Sequence, residues 1–336
     1  FQFIGLTSFS IYLWHWPILA YARYIYGEFS WSLLLVAGYA FFVLFTSYLS
    51  WVFIENKFRL KLKNTYFFNF IKFTLAICLG ISPIGFAQDI NSKIPDLTVE
   101  YKRYADPETI CHGKLLSSCY RGSKKSEREV LLIGDSHAAQ LNLAADVLGN
   151  EFDLKIEVVT ASSCLPIDGF DLMLIPEEAR EQCLNQSNKL SSLIQKYKNI
   201  ILAGMWSYQL QGDSQKKSIQ DFFEYAKNND KNIWVLAQLP KMKSNPQRLS
   251  HISFLGVRVP TQMDTDWYKA NELLSEMTAP YSNVKFIDLT DDDLFIDLPF
   301  SRGNLIYHDE HHLNEIGSKW YGAVLSNEFK KYWKEK

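Results

Sequence analysis

The sequence of 336 residues predicts an α/β fold, in which transmembrane helices precede a domain built on a parallel sheet. Three observations predict it. Residues 31–54, WSLLLVAGYAFFVLFTSYLSWVFI, carry no charge, and a run of that length crosses a hydrocarbon core about 30 Å thick. After residue 129, short Val/Ile/Leu-rich runs alternate with segments of helix length, the pattern of βαβ units. Those runs are continuously apolar, as strands buried on both faces are.

The elements follow in order. Residues 3–24 are apolar and aromatic as far as Arg23 and form the first expected span. Residues 31–54 form the second. A third, 66–87, contains Pro83 and requires Lys72 to snorkel to the interface. The alternative for this stretch is a signal-peptide-like segment with the small-residue end GFAQ, which would export the same downstream domain. Between the second and third spans, Lys57, Arg59, Lys61 and Lys63 mark a cytoplasmic loop by the positive-inside rule. Everything after residue 90 is then extracytoplasmic. His15, in WHWP, is either a functional group or an interfacial anchor, because a histidine inside a span is costly. The chain starts with Phe1, so a fragment of a longer protein is expected.

Residues 88–128 read as a linker, and 129–336 as the second domain. Strands are expected at 130–134, 154–160, 199–204, 232–238 and 284–289. Helices are expected at 137–150, 176–197, 214–230, 266–279 and from 314 onward. Net charge is −2, so no nucleic-acid footprint is expected. Of five cysteines, Cys78 lies in an apolar run. The others form two local pairs, Cys111 with Cys119 and Cys164 with Cys183. Without CxxC or Cys/His zinc spacing, two short-range disulfides in an oxidising compartment are the natural reading.

Chemistry concentrates at VLLIGDSHAAQL, 130–141. Ligands of parallel sheets bind at the carboxyl ends of strands, where Ser136 falls. Gly134 permits a sharp turn, and the following helix offers free backbone N–H groups to an oxyanion. The alternative is plain helix capping by Asp135 or Ser136. A serine nucleophile needs a base, and the base needs an orienting group. YHDEHHLNEIGS, 307–318, supplies both: Asp309 and His312 are three apart, a spacing that puts two side chains on one side of a helical turn. His308 and His311 are the alternatives. A metal site on His308, Asp309, His311 and His312 is disfavoured, because adjacent side chains diverge.

GDSH after a strand, with DxxHL before a C-terminal helix, resembles the SGNH (GDSL-type) hydrolase family. The resemblance implies a flavodoxin-like domain in which Ser136, Asp309 and His312 are the catalytic triad. SFSIYLWHWPI and SYLSWVFIENKFR resemble the last part of the bacterial membrane acyltransferase family (acyltransferase-3) that includes O-antigen acetylases, some of which carry a periplasmic SGNH domain. SSCLP at 162–166 and LAGMW at 202–206 are similar to that fused group. Two departures stand out. Trp206 occupies the place of the family's third-block Asn, and no second-block Gly is evident near Ser162 and Ser163. Ser163, Gly204, Trp206 and His137 are therefore the candidates for oxyanion or substrate contacts, with the Trp206 indole N–H either a substitute donor or part of a side chain packed in the core after a strand.

The resemblance implies a multi-pass protein of the bacterial inner membrane with its C-terminal domain in the periplasm. Upstream acyltransferase helices, absent from this chain, would take an acetyl group from acetyl-CoA. The acceptor would be an envelope glycan or lipid-linked O-antigen. No cofactor or metal is expected in this fragment, and no nucleic acid among its partners, which include the lipid bilayer. Carbohydrate esterase and non-catalytic glycan presentation are the other readings.

Overall fold

In a computed structural model, residues 2–26, 31–55, 88, 92, 96–114, 118–254 and 261–331 are described. The chain divides into two units, Phe1–Asp96 with Arg248–Pro260, and Leu97–Gln247 with Thr261–Lys336. The third expected span, the basic loop before it and Cys78 lie outside the described residues.

The first unit holds α1 (Gln2–Tyr26) and α2 (Leu33–Ser50), the latter prolonged by a π-turn over Trp51–Glu55. Ser32 caps α2 by accepting from Leu35 N at 3.2 Å. The two helices pack together, and Ser10 Oγ donates to Glu55 Oε2 at 2.8 Å. Their apolar residues mostly face outward: Leu33 is 85% exposed and Phe41 69%. Among the described residues, one helix is long and apolar enough to cross a membrane, Leu33–Glu55, with mean hydropathy 1.9. The first expected span, 3–24, is helical, but Thr7, Ser8, Ser10, His15 and Arg23 dilute its apolar character.

The second unit is a six-stranded sheet in the order β1-β3-β2-β4-β5-β6. Five strands are parallel: β2 (Glu129–Gly134), β3 (Lys155–Thr160), β4 (Asn199–Ala203), β5 (Asn232–Leu236) and β6 (Val284–Ile287). Their order among themselves is the flavodoxin-like 2-1-3-4-5. β1 (Tyr120–Gly122) adds an antiparallel edge against β3. Successive residues of a strand point to opposite faces, which here divides the core in two. Leu131, Ile133, Ile200 and Leu202 pack with α5 (Glu177–Leu193), α7 (Asp213–Asn228) and α8 (Asp266–Thr278). Val130, Leu132, Ile201 and Ala203 pack with α3 (Ser136–Ala139), α4 (Asn142–Glu151) and α9 (Glu315–Phe329). Each fully buried Leu or Ile stabilises this three-layer arrangement by about 2 kcal/mol. A two-stranded piece, β7 (Phe300–Ser301) with β8 (Asn304–Leu305), stands apart.

Three expectations are corrected. The segment expected as a linker is part of the fold from residue 97: Ile110 and Cys111 are buried and β1 joins the sheet. The helix expected at 137–150 is two helices, broken at Gln140–Leu141. Trp206 opens a further turn, α6 (Trp206–Gln209), that the sequence did not suggest. Both expected cysteine pairs, Cys111–Cys119 and Cys164–Cys183, are disulfide-bonded.

Candidate active site

β2 ends at Gly134, whose φ of +148° lies in a region that L side chains rarely adopt. A Cβ here would stand 1.7 Å from Ala203 O on the neighbouring strand. The chain therefore passes from strand to helix at closest backbone approach. Asp135 is buried at the turn. Its Oδ1 accepts from His137 N at 2.7 Å, and its Oδ2 from Met205 N and Gln209 Nε2, both at 2.8 Å. Burial raises its carboxyl above the ordinary range even against these three donors. Asp135 thus caps α3 and binds it to the end of β4. Ser136, the first residue of α3, is left half-buried.

The second part of the site is the turn before α9. Asp309 Oδ1 accepts from His311 N at 3.0 Å and His312 N at 2.8 Å. Its Oδ2 lies 2.8 Å from His312 Nδ1. Asn314 caps α9 through Gly317 N at 2.8 Å and donates to Leu305 O at 2.6 Å. Gln140, just after α3, joins the two parts: its Oε1 accepts from Leu313 N, and its carbonyl from Ser318 Oγ, both at 2.6 Å.

Ser136 Oγ and His312 Nε2 are consequently 2.9 Å apart. An ionised carboxylate only accepts, so Nδ1 carries the proton donated to Asp309, and neutral Nε2 accepts from the serine hydroxyl. Burial pushes the His312 imidazole down to about 3, beyond what the hydrogen bond to Asp309 restores. Burial works against ionisation of Asp309, but the hydrogen bonds from the His312 ring and the His311 backbone prevail and hold its carboxyl below the usual range. The pair is therefore imidazole and carboxylate at neutral pH. Such an arrangement can accept a hydroxyl proton and return it to a leaving group.

The other predicted residues fall as follows. Trp206 is fully buried, and its indole N–H donates to Leu236 O at 2.7 Å. Core packing has used the donor expected to meet an oxyanion, so that role is corrected. Gly204 is buried beside Asp135; a Cβ there would lie 3.5 Å from Asp135 Oδ2. Ser163 has φ +57°, the left-handed conformation usual for glycine, so a serine adopts the backbone shape sought as a second-block Gly. His137 is buried, and its Nε2 lies 3.0 Å from His311 Nδ1. His308 Nδ1 is 3.0 Å from Gln247 Nε2, while its backbone N–H donates to His312 O at 2.8 Å. The divergence expected of adjacent histidines does not occur: the His311 and His312 ring centroids are 4.1 Å apart. In the helical unit, His15 Nδ1 lies 2.7 Å from Tyr12 O, within its own helix.

Sequence reasoning missed Arg103, which donates through Nη2 to Ser136 O at 3.2 Å and whose guanidinium lies over the Tyr104 ring. It also missed His112, held between Thr160 Oγ1 at 3.0 Å and Ser162 Oγ at 3.2 Å. Both lie in the segment expected as a linker. The Cys111–Cys119 pair was the available signal that this stretch folds back.

A family model described as "SGNH domain (fused to AT3 domains)" matches residues 103–327. No curated protein matches the chain. Among solved structures, the chain is similar to the acetyl xylan esterase AlAXEase at 12% identity and a TM-score of 0.39, over 60% of this chain and 98% of that one. It is also similar to the salicylyl-acyltransferase SsfX3 from a tetracycline biosynthetic pathway, at 14% identity and a TM-score of 0.37, over 62% of this chain and 55% of that one.

Proposed function

This chain belongs to the family of SGNH domains fused to AT3 domains, and from that premise we propose that it transfers acyl groups, acetyl foremost, through Ser136. The family supports acyl transfer or ester hydrolysis. The single observation that carries the role of Ser136 is its 2.9 Å contact with His312 Nε2, whose other nitrogen meets Asp309.

Ser136 Oγ attacks the acyl carbonyl while its proton passes to His312 Nε2. Asp309 keeps the Nδ1 proton in place and stabilises the imidazolium. The backbone N–H of Ser136, in the first turn of α3 where helices lack an internal acceptor, meets the oxyanion. The leaving group departs with the proton from His312, and Ser136 is acylated. An acceptor hydroxyl then gives its proton to Nε2 and takes the acyl group, freeing the serine. A sugar hydroxyl of an envelope glycan, such as lipid-linked O-antigen, fits this second half. An acetyl group, taken from acetyl-CoA by the acyltransferase helices of the family, fits the first. The two disulfides support an oxidising compartment, the periplasm of a bacterium whose inner membrane holds the apolar helices.

Water competes with the sugar for the same acyl-enzyme, so esterase activity is the second outcome of one mechanism. Fusion to AT3 domains favours transfer. The test supplies the chain with an acetyl ester and a glycan acceptor, and follows both free acetate and acetylated glycan. Acetylated glycan that rises with acceptor concentration supports transfer; acetate alone at every concentration supports hydrolysis. Ser136→Ala is expected to lower either rate by about 10⁶-fold while the protein stays folded. Unchanged turnover in that variant would falsify the nucleophile.

A further inference from the structure

The mechanism uses one of three histidines that share a small volume. One nitrogen from each of His137, His311 and His312 lies within 4.8 Å of the others. The His137 and His311 rings are nearly parallel and meet edge to edge, 5.2 Å between centroids and 5° between planes, with Nε2 and Nδ1 3.0 Å apart. Two imidazoles bound to one zinc at about 2.0–2.1 Å in tetrahedral geometry hold their nitrogens about 3.3 Å apart. Each nitrogen points at the other, so the rings must swing by about 35° and part by a few tenths of an ångström for both lone pairs to converge on one ion. Imidazole is the ligand of borderline transition metals, whereas Mg²⁺ and Ca²⁺ require oxygen. Three protein nitrogens and one open position complete a four-coordinate zinc.

We propose that His137, His311 and His312 form a Zn²⁺ site whose occupation switches Ser136 off. His312 has no spare nitrogen. If Nε2 binds the ion, Ser136 loses its 2.9 Å contact with the base. If Nδ1 binds it, Asp309 loses its 2.8 Å contact with the ring. Either choice removes one bond from the relay, so metal and catalysis exclude each other. Binding at Nε2 keeps Asp309 on Nδ1, the carboxylate–histidine–zinc arrangement that strengthens a ligand.

The switching half rests on the reading of Ser136 as nucleophile; the binding half does not. The experiment therefore has two readouts, both on the full chain freed of metal. Co²⁺ titration follows visible absorption, and turnover of a chromogenic acetyl ester is measured against Zn²⁺. One equivalent of Co²⁺ is expected to give the intense bands of a four-coordinate site, and Zn²⁺ to displace them. Turnover is expected to fall with Zn²⁺ occupancy and to return with a chelator. His311→Ala is expected to weaken both metals by about 10–100-fold or more, the loss that even outer partners produce, with the metal-free rate retained. His137→Gln is the second variant and is expected to weaken both metals likewise. Absence of the bands, or equal bands in His311→Ala, overturns the site. Bands with undiminished turnover at full Zn²⁺ occupancy overturn the switching. Bands in a chain that turns over no ester overturn the reading of Ser136 instead.

Discussion

Ser136 and His312 are carried on turns held in place by different means. The serine turn is fixed from outside. Gly134 lies against Ala203 O, and Asp135 takes donors from Met205 and Gln209, each about 70 residues away in sequence. The histidine turn largely holds itself: Asp309 accepts two backbone N–H groups and a ring nitrogen from residues two and three positions on. Placing Ser136 at a strand end thus depends on the packed sheet, whereas orienting the His312 ring depends on local sequence. Damage to the first turn should cost stability, and damage to the second should cost activity.

Asp309→Asn tests the second half of that contrast and has the largest expected effect after Ser136→Ala. The amide oxygen can still accept the two backbone N–H groups, but the ring loses its anionic partner and its tautomer. Turnover is expected to fall by about 10⁴-fold with little change in Tm. Equal loss of Tm would mean that the carboxylate is structural. Gly134→Ala tests the first half. With 1.7 Å to a backbone oxygen and no side chain able to yield, destabilisation above about 4 kcal/mol is expected, seen as insoluble or unfolded protein. A folded Gly134→Ala variant would break the comparison.

Acidification is expected to have an intermediate effect. His312 is held at about 3 and His112 at about 4, each pushed down by burial. Below pH 6.5 the unfolded chain binds protons that these folded rings refuse, so stability falls as pH drops from 6.5 towards 4. His137, His308 and His311 are lowered too, and add to the trend. Asp309, held low, loses its contribution only below its ordinary range. Asp135, raised by burial, acts in the opposite sense, as one group against five. Tm measured from pH 7 to pH 4 should therefore decline. A rise would place these imidazoles as charged in the fold. The smallest effect is expected of Asn314→Ala, about 1 kcal/mol by denaturant unfolding, because it removes the cap of α9 while Gln140 still holds Leu313.

The parts legible in the sequence are those fixed by local pattern. Five strands stand out because most of their residues are covered on both faces and are apolar, with exceptions such as Glu157 and Lys285. The Asp309–His312 spacing stands out because the turn is self-contained. β1 was hidden because three residues, Tyr120–Gly122, show no period. The fate of Trp206 was hidden because the carbonyl that takes its indole proton belongs to β5, 30 residues on. His137 was hidden as a neighbour of His311 because 174 residues separate them, and only the assembled turns bring the rings together.

Gln140 gives the site a direction in time. It joins the segment carrying Ser136 to the residue after His312, 173 positions later. During synthesis, Ser136 is made long before His312. A chain not yet extended through α9 carries Ser136 without its imidazole neighbour. The 2.9 Å contact forms only once the segment leading into α9 has docked, so the proposed acylation of Ser136 requires that docking.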